Sequence, residues 1–183
     1  MATNPTTENE SLDHFRNLGA FVVDRLMIHS PGLPVTNSDV AFLVALPELE
    51  QLVLTETKIT NECMHVIGRL SRLSLLDISD TSISDDGASQ LATLVELETL
   101  GIYGTQITDS TVEIIARMPK LKMLNISFTA ITDAGLLKLA GLGCRIIETH
   151  HSKVTKSGVH EFVQRCPLTM LVTDDGVIGG GNI

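Results

Sequence analysis

The chain has 183 residues, of which 43% are hydrophobic and 19% charged, a balance typical of a globular protein with a substantial core. Its formal net charge of −9 argues against a nucleic-acid backbone or an anionic membrane surface as the main partner. Aromatic residues make up only 3% and Trp is absent, so the core must be aliphatic and there is no set of rings for stacking bases.

The sequence carries no recognisable membrane or secretion signal. Its longest apolar run, around residues 40–46, is far shorter than the roughly 20 residues needed to span a bilayer. The opening segment, "MATNPTTENE", has neither a basic nor an apolar signal region. Cys63, Cys144 and Cys166 are odd in number and lack CxxC spacing, which argues against a disulfide framework or a zinc site. We therefore predict a soluble, cytoplasmic protein with buried, reduced thiols and no cofactor or bound metal.

The first predicted element is a capping helix that follows a polar tail within residues 1–19. Thr7 and Glu10 have the spacing of a capping box, and Gly19 is a suitable terminating residue. The apolar residues that share one face of this helix are Leu12, Phe15 and Leu18.

A first strand is predicted next, at residues 23–28, before the Pro- and Gly-containing insertion "HSPGLP". A helix should follow, because its apolar residues lie one period before those of a later helix. The two sets are Val40, Leu43 and Leu46, and Met64, Ile67 and Leu70.

A repeated segment then dominates the chain. The copies are "LEQLVLTETKIT", "LSLLDISDTSIS", "LETLGIYGTQIT" and "LKMLNISFTAIT", which begin at Leu49, Leu73, Leu97 and Leu121. Each copy first alternates apolar and polar residues like a strand, and then changes to the pattern of a turn and a helix start. A fixed period of this length indicates a solenoid in which each unit packs against its neighbours.

The repeat becomes irregular towards the C-terminus. "CRIIETHHSKVTKSGVHEF" fits the pattern if one residue is deleted, with Cys144, Ile147 and Thr149 at strand positions. A last strand is predicted at residues 168–173, with Ile178 closing its loop. Thr149 and Thr173 replace apolar core residues, so the core should thin here. The prediction is a solenoid over residues 20–178, with about six to seven strand-bearing repeats, and a flexible Gly-rich tail at residues 179–183.

The pattern L-x-x-L-x-L-x-x-T-x-I-[T/S]-[D/N] resembles the leucine-rich-repeat family, with Thr where Asn or Cys is common. The half-repeat "ITDAGLLKLAGL" is similar to the short repeats of planctomycete bacteria and to the cysteine-containing repeats of F-box partners. The resemblance implies an α/β fold, a right-handed horseshoe solenoid with a parallel β-sheet on the concave face and helices on the convex face. It also implies a non-catalytic module that binds a protein or peptide.

Several repeated polar residues have a structural interpretation. The hydroxyls of Thr57, Thr81, Thr105 and Thr129 should satisfy backbone groups where each strand enters its loop. Thr132 or Asp133 should cap a helix start, and Asp109 and Asp133 should complement helix dipoles.

The variable strand positions should point onto the concave face in rows across neighbouring strands. They predict an apolar and aromatic patch formed by Leu75, Tyr103, Met123, Phe128 and Ile146. Exposed residues of these types commonly anchor protein partners, although Phe128 could instead cover the backbone at Gly104.

An acidic patch is also predicted on this face, at Glu56, Asp77 and Asp80, and would favour a partner with Lys or Arg. Simple solubility is the alternative interpretation. The predicted partner-binding residues of the concave face are, together, Leu75, Asp77, Asp80, Tyr103, Met123, Asn125, Phe128, Ile146, Glu148 and His150.

Two other function classes remain open. One is a metal-dependent hydrolase, whose ligands would come from Glu148, His150, His151, Asp174 and Asp175. The other is a self-assembling protein that pairs through an open C-terminal edge strand.

Overall fold

The computed structural model describes residues 7–24 and 26–180, and these form a solenoid of short strands that alternate with helical turns. The remaining positions, which include parts of the two predicted tails, lie outside the described residues. The strands are β1 (Phe21–Val23), β2 (Met27–His29), β3 (Gln51–Val53), β4 (Leu75–Asp77), β5 (Thr99–Gly101), β6 (Met123–Asn125), β7 (Ile146–Glu148), β8 (Met170–Thr173) and β9 (Gly176–Gly179).

Each of the regular strands is followed by a helical segment that returns the chain to the start of the next strand. The helices are α1 (Glu8–Asn17), α2 (Asn37–Val40), α3 (Met64–Ile67), α4 (Asp85–Ala88), α5 (Asp109–Ile115), α6 (Asp133–Lys138) and α7 (Lys156–Arg165). Short 3₁₀ turns adjoin some of them, at Ala41–Ala45, Asn61–Cys63, Ser89–Thr93 and Leu139–Gly141.

The strands form one nine-stranded sheet in sequence order. Strands β2 to β8 are parallel, and Leu52, Leu76, Leu100 and Leu124 lie side by side, as the repeat predicts. Helices cover one face of this sheet and leave the other face open and concave. The predicted α/β solenoid is therefore confirmed.

The core is a continuous aliphatic column between sheet and helices. The middle residue of each regular strand points inward, and Met64 and Ile67 of α3, with Leu70 just after it, are buried opposite, as predicted. Cys63 and Cys144 lie in this column, where burial raises the pKa of the two thiols to about 11 and about 12. Cys166 is only partly buried.

Helix α1 packs at the N-terminal end of this column. The Thr7 hydroxyl accepts a hydrogen bond from the Glu10 N–H at 3.2 Å at the start of the helix. The Phe15 side chain of the same helix is fully buried. The His14 ring stacks on Phe42, with ring centroids 3.8 Å apart, and its Nε2 lies 2.8 Å from Asp39 Oδ1. These contacts fix α1 against the first repeat.

The single strand predicted at residues 23–28 is wrong. The chain turns at Asp24, which has a φ of 47°, and β1 pairs with β2 as an antiparallel hairpin. Asp tolerates the left-handed conformation better than most residues, so it allows a tight turn inside an otherwise apolar segment. The N-terminal edge of the parallel sheet is thus covered by β1.

The C-terminal end differs from the prediction in a similar way. β9 pairs with β8 antiparallel, so Ile178 lies opposite Leu171 in a strand and the edge of β8 is not open. Strand β8 begins at Met170, and the hydroxyl of the preceding residue, Thr169, points inward and donates to the Cys144 carbonyl, 2.8 Å away. Leu168 points outward and is 79% exposed.

Candidate interaction surface on the concave face

The open face of the sheet presents its side chains in ordered rows. Leu75, Thr99, Met123 and Ile146 lie in adjacent register positions and form the row that we call the apolar row. Met123 is 41% exposed, and Leu75 and Ile146 are half-buried. A groove of about 240 Å³ runs along this row, with Leu100 and Leu124 also among its lining residues.

The next row along the strands, here called the polar row, forms the other side of this groove. It contains Asp77, Gly101, Asn125 and Glu148. Asp77 Oδ1 accepts from the Ser79 N–H at 3.0 Å, and Asn125 Oδ1 accepts from the Ser127 N–H at 2.9 Å. The equivalent turn is therefore closed by an Asp side chain in one repeat and by an Asn side chain in another.

The amide of Asn125 also joins two repeats. Its Nδ2 donates to Glu148 Oε2 at 2.7 Å. At Gly101 the row has no side chain, and a Cβ placed there would lie 2.5 Å from Asp77 Oδ1. The Asp77 carboxylate thus occupies the space that this glycine leaves and extends towards the centre of the sheet.

Part of the row that follows the polar row does not reach the surface. Ser127, which the sequence places on the concave face between Asn125 and Phe128, is only 1% exposed. Its hydroxyl accepts the His150 N–H at 3.0 Å, and Ser79 is buried at the equivalent position two repeats earlier. Small hydroxyl residues fit here because the strand is already turning into its loop. Tyr103 and His150, at equivalent positions, are partly exposed.

The residue that follows this row adopts a left-handed backbone in several repeats. The φ angles are 57° at Glu56, 51° at Asp80, 64° at Gly104, 55° at Phe128 and 48° at His151. Glycine adopts this conformation freely, whereas a bulky residue such as Phe is strained there. Phe128 is 47% exposed, so burial compensates this strain only in part.

The aromatic residues of these loops form a continuous strip. The Tyr103 and Phe128 rings have centroids 4.9 Å apart, and the Phe128 and His151 rings have centroids 4.5 Å apart. The residue nearest to Gly104 is Asp80, whose Oδ1 would lie 2.1 Å from a Cβ at that glycine. Phe128 is therefore part of an aromatic strip, and Asp80 is the residue that covers Gly104. The polar row lies between this strip and the apolar row.

Glu56, Asp77 and Asp80 lie close enough to interact. Burial and the negative charges of Glu56 and Asp77 raise the pKa of Asp80 above its ordinary value. Within the described residues, none of these three carboxylates forms an ion pair. The acidic patch therefore carries negative charge that the chain does not compensate locally.

The residues proposed as metal ligands are divided among other partners. Glu148 accepts a hydrogen bond from Asn125, and Asp175 lies 3.0 Å from Lys156 Nζ. The Asp174 carboxylate accepts the His151 N–H and lies 3.3 Å from His150 Nδ1, contacts that lower its pKa. Across residues 7–24 and 26–180, no three His, Cys, Asp or Glu side chains are arranged to hold a metal ion. The chemistry available here is hydrogen bonding between a carboxylate and two imidazoles.

The sequence also did not reveal a second cleft, at the C-terminal end of the core. It has a volume of about 430 Å³ and lies between α7 and the β8–β9 hairpin. Its lining includes Thr149 and Thr173, the two residues that predicted a thinner core. The Thr149 side chain is too small to fill the position that Leu54 and Ile78 fill in other repeats.

Comparison with known proteins agrees with this architecture. The family model described as "Leucine Rich repeat" matches residues 73–92 and 117–140. No curated protein sequence matches the chain. No helix within the described residues is long and apolar enough to cross a membrane.

Solved structures from two bacteria have the same fold. An internalin C2 from Listeria monocytogenes is 25% identical, with a TM-score of 0.56 and coverage of 66% of this chain and 51% of its own. An internalin (inlF) from the same organism is 18% identical, with a TM-score of 0.60 and coverage of 73% and 36%. A leucine-rich-repeat protein from Leptospira interrogans is 15% identical, with a TM-score of 0.52 and coverage of 71% and 38%.

The fold defines a parallel β-solenoid with helices on its convex side. Together with the family match, it identifies this chain as a leucine-rich-repeat protein. The chain spans about half or less of the length of the solved structures it matches.

Proposed function

We propose that the chain is a non-catalytic binding module whose concave face takes a protein or peptide. The observation that carries the proposal is the groove along the apolar row, where Leu75, Met123 and Ile146 remain accessible on a regular sheet. Exposed apolar residues that converge in a groove are characteristic of interaction sites. Leucine-rich-repeat proteins commonly act in this way, which supports the proposal by analogy.

The strain at Phe128 gives separate support. A left-handed backbone at a bulky residue costs about 1–2 kcal/mol, and Asn or Gly would remove most of that cost. Strained residues that folding does not require are often found at functional sites. Phe128 also contacts Tyr103 and His151, so the strip presents a broad aromatic surface rather than one exposed ring.

The cysteine thiols bear on the cellular compartment of the protein. The three unpaired cysteines, two of them deep in the core, favour a reducing environment and thus the cytoplasm as the proposed location.

The test is affinity capture from native cell extract with quantitative mass spectrometry. The concave variant combines Tyr103→Ala with Phe128→Asn, and the control combines Val44→Ala with Val95→Ala. The control alters exposed apolar residues outside the four concave rows, which are the apolar row, the polar row and the next two rows along the strands, those of Ser127 and Phe128. We expect the concave variant to lose the partners that wild type and control retain. Equal capture by all three proteins, at matched thermal stability, contradicts use of the concave strip.

A further inference from the structure

We propose that the occupant of the concave groove is an extended peptide segment in which apolar and basic residues alternate. This inference rests on the proposed function and names the chemistry of its partner. It follows from the two different sides of the groove and from the distribution of charge over the sheet.

The two sides of the groove differ in chemistry and lie a short distance apart. Residues two positions apart on a strand are separated by about 6.6 Å, which places the apolar row and the polar row on opposite sides of one channel. The apolar side presents Leu75, Met123 and Ile146, and the polar side presents Asp77 and Glu148. A peptide in the channel therefore meets an aliphatic wall and an acidic wall at once.

An extended chain matches this arrangement. Its side chains point alternately to opposite sides, and successive residues on one side are about 6.7 Å apart. Asp77 on β4 and Glu148 on β7 are three strand spacings apart, about 14 Å. Two same-side steps of the peptide cover about 13 Å, so cations at positions i and i+4 fall near the two carboxylates. Leu75 and Ile146, on the same two strands, are equally far apart and receive apolar residues that are also four positions apart, such as i+1 and i+5.

The negative charge of the concave surface favours basic residues in the bound peptide. In the four concave rows carried by β3 to β8 and the loops that follow, every residue of fixed charge is Asp or Glu. Three carboxylates outside these rows pair with a cation of the next repeat: Glu48 with Arg72, Glu96 with Lys120 and Glu98 with Lys122. Glu56, Asp77, Asp80 and Glu148 have no such pair within the described residues. These four carboxylates of the concave rows thus keep negative charge that no neighbouring cation of the described residues offsets.

Removing this charge does not require a change of fold. Asp77→Asn retains the Oδ1 acceptor for the Ser79 N–H, as Asn125 shows in its own repeat. Asp80→Asn is compatible with a left-handed backbone, which Asn tolerates well. The double variant therefore changes charge and little else. A matched control, Glu62→Gln with Asp86→Asn, removes two exposed carboxylates from the helical side.

The experiment measures binding of synthetic, fluorescently labelled peptides by anisotropy at low and high salt. The probes are an alternating Leu/Lys peptide, an alternating Leu/Glu peptide and an alternating Ser/Lys peptide of the same length. We expect the Leu/Lys peptide to bind at least about tenfold more tightly than either of the others. We expect the Asp77→Asn/Asp80→Asn variant to weaken it by about tenfold, and the Glu62→Gln/Asp86→Asn control to change it by less than about twofold.

Several outcomes overturn the proposal. Equal binding of the Ser/Lys peptide shows attraction to the net negative charge alone, and preference for the Leu/Glu peptide reverses the chemistry. No binding of any probe, or a concentration-dependent dimer in analytical ultracentrifugation that fills the groove with a second copy, also overturns it. If the Tyr103→Ala/Phe128→Asn protein still loses its captured partners in those cases, the concave face remains the binding surface and only the peptide chemistry is wrong.

Discussion

The substitution Asp109→Ala tests the hydrogen bonds that join one repeat to the next. The Asp109 carboxylate, at the start of α5, accepts from the Thr132 N–H at 2.9 Å and from the Thr132 hydroxyl at 2.6 Å. Asp133 binds Thr155 in the same way, with both distances 2.6 Å. Alanine leaves both donors of Thr132 without this acceptor.

The expected cost is about 2 kcal/mol of unfolding free energy. Hydrogen bonds to a charged group contribute about 1.5–3 kcal/mol each, but Asp109 is only partly buried and water replaces part of the loss. Because a solenoid is stabilised by the sum of its repeats and their interfaces, one weakened interface lowers the stability of the array. Urea denaturation followed by circular dichroism measures the effect.

The chain supplies its own control for this experiment. Asn61 performs the same role two repeats earlier: its Oδ1 accepts the Ser84 N–H at 2.9 Å and its Nδ2 donates to the Ser84 hydroxyl at 2.8 Å. Asp109→Asn should therefore cost less than about 0.5 kcal/mol. If Asn is as destabilising as Ala, the relevant interaction is the negative charge at the helix start, and the hydrogen-bond explanation is refuted.

Three further predictions concern single residues. Gly135→Ala should destabilise the protein by about 1–3 kcal/mol, although Ala is normally the better helix former, because its Cβ would lie 2.2 Å from Asp109 Oδ1. Gly141→Ala, with open space around it, should instead stabilise the protein by about 0.5–1 kcal/mol. Melting temperatures that shift in the same direction for both variants would contradict this explanation. Because the pKa of Asp80 is raised, the folded state favours the protonated carboxyl. The resulting contribution to the unfolding free energy is fully present below the ordinary pKa of 3.8 and is lost as pH rises through the raised pKa. Asp80→Asn should therefore be more stable than wild type at neutral pH, with a difference that closes in acid denaturation series below about pH 4. Phe128→Asn should leave the unfolding free energy within about 1 kcal/mol of wild type, because relief of backbone strain offsets lost contacts; a loss of about 3 kcal/mol or more would make Phe128 a core residue.

The sequence predicted what the repeat itself dictates. The apolar positions, the strand register and the internal caps follow from a pattern with a strict period, and the structure reproduces them. The Thr hydroxyls are a clear example: those of Thr57, Thr81, Thr105 and Thr129 each donate to the carbonyl three residues earlier at 2.6 Å. Each hydroxyl satisfies a carbonyl of its own repeat.

Contacts between repeats were harder to predict. Asp109 and Asp133 were assigned to the dipole of their own helices, whereas each also binds the helix cap of the next repeat. A signal was present in the sequence, because Asn37, Asn61 and Asp85 occupy the same position and all can accept a hydrogen bond. Its meaning depends on the distance between adjacent turns, which only the folded solenoid defines.

The two ends were the least predictable parts. Neither antiparallel hairpin has a copy elsewhere in the chain, so periodicity gave no information about them. In each, a left-handed residue makes the turn possible, Asp24 at one end and Gly176 at the other. Such turns depend on one residue and its immediate packing, and they are easily hidden in an apolar segment or at the end of a repeat.

The left-handed position shows where folding and binding make different demands on this chain. The solenoid requires a positive φ at this point of the repeat, and Gly32 and Gly104 meet the requirement without strain. Asp80 and His151 are residue types that tolerate it, whereas Glu56 and Phe128 do not. Glu56 belongs to the acidic patch and Phe128 is the centre of the aromatic strip, so the two most strained positions carry the two chemistries proposed for recognition. Stability gained by Asn at either position should therefore be accompanied by weaker binding, a trade-off expected of residues that serve a site rather than the fold.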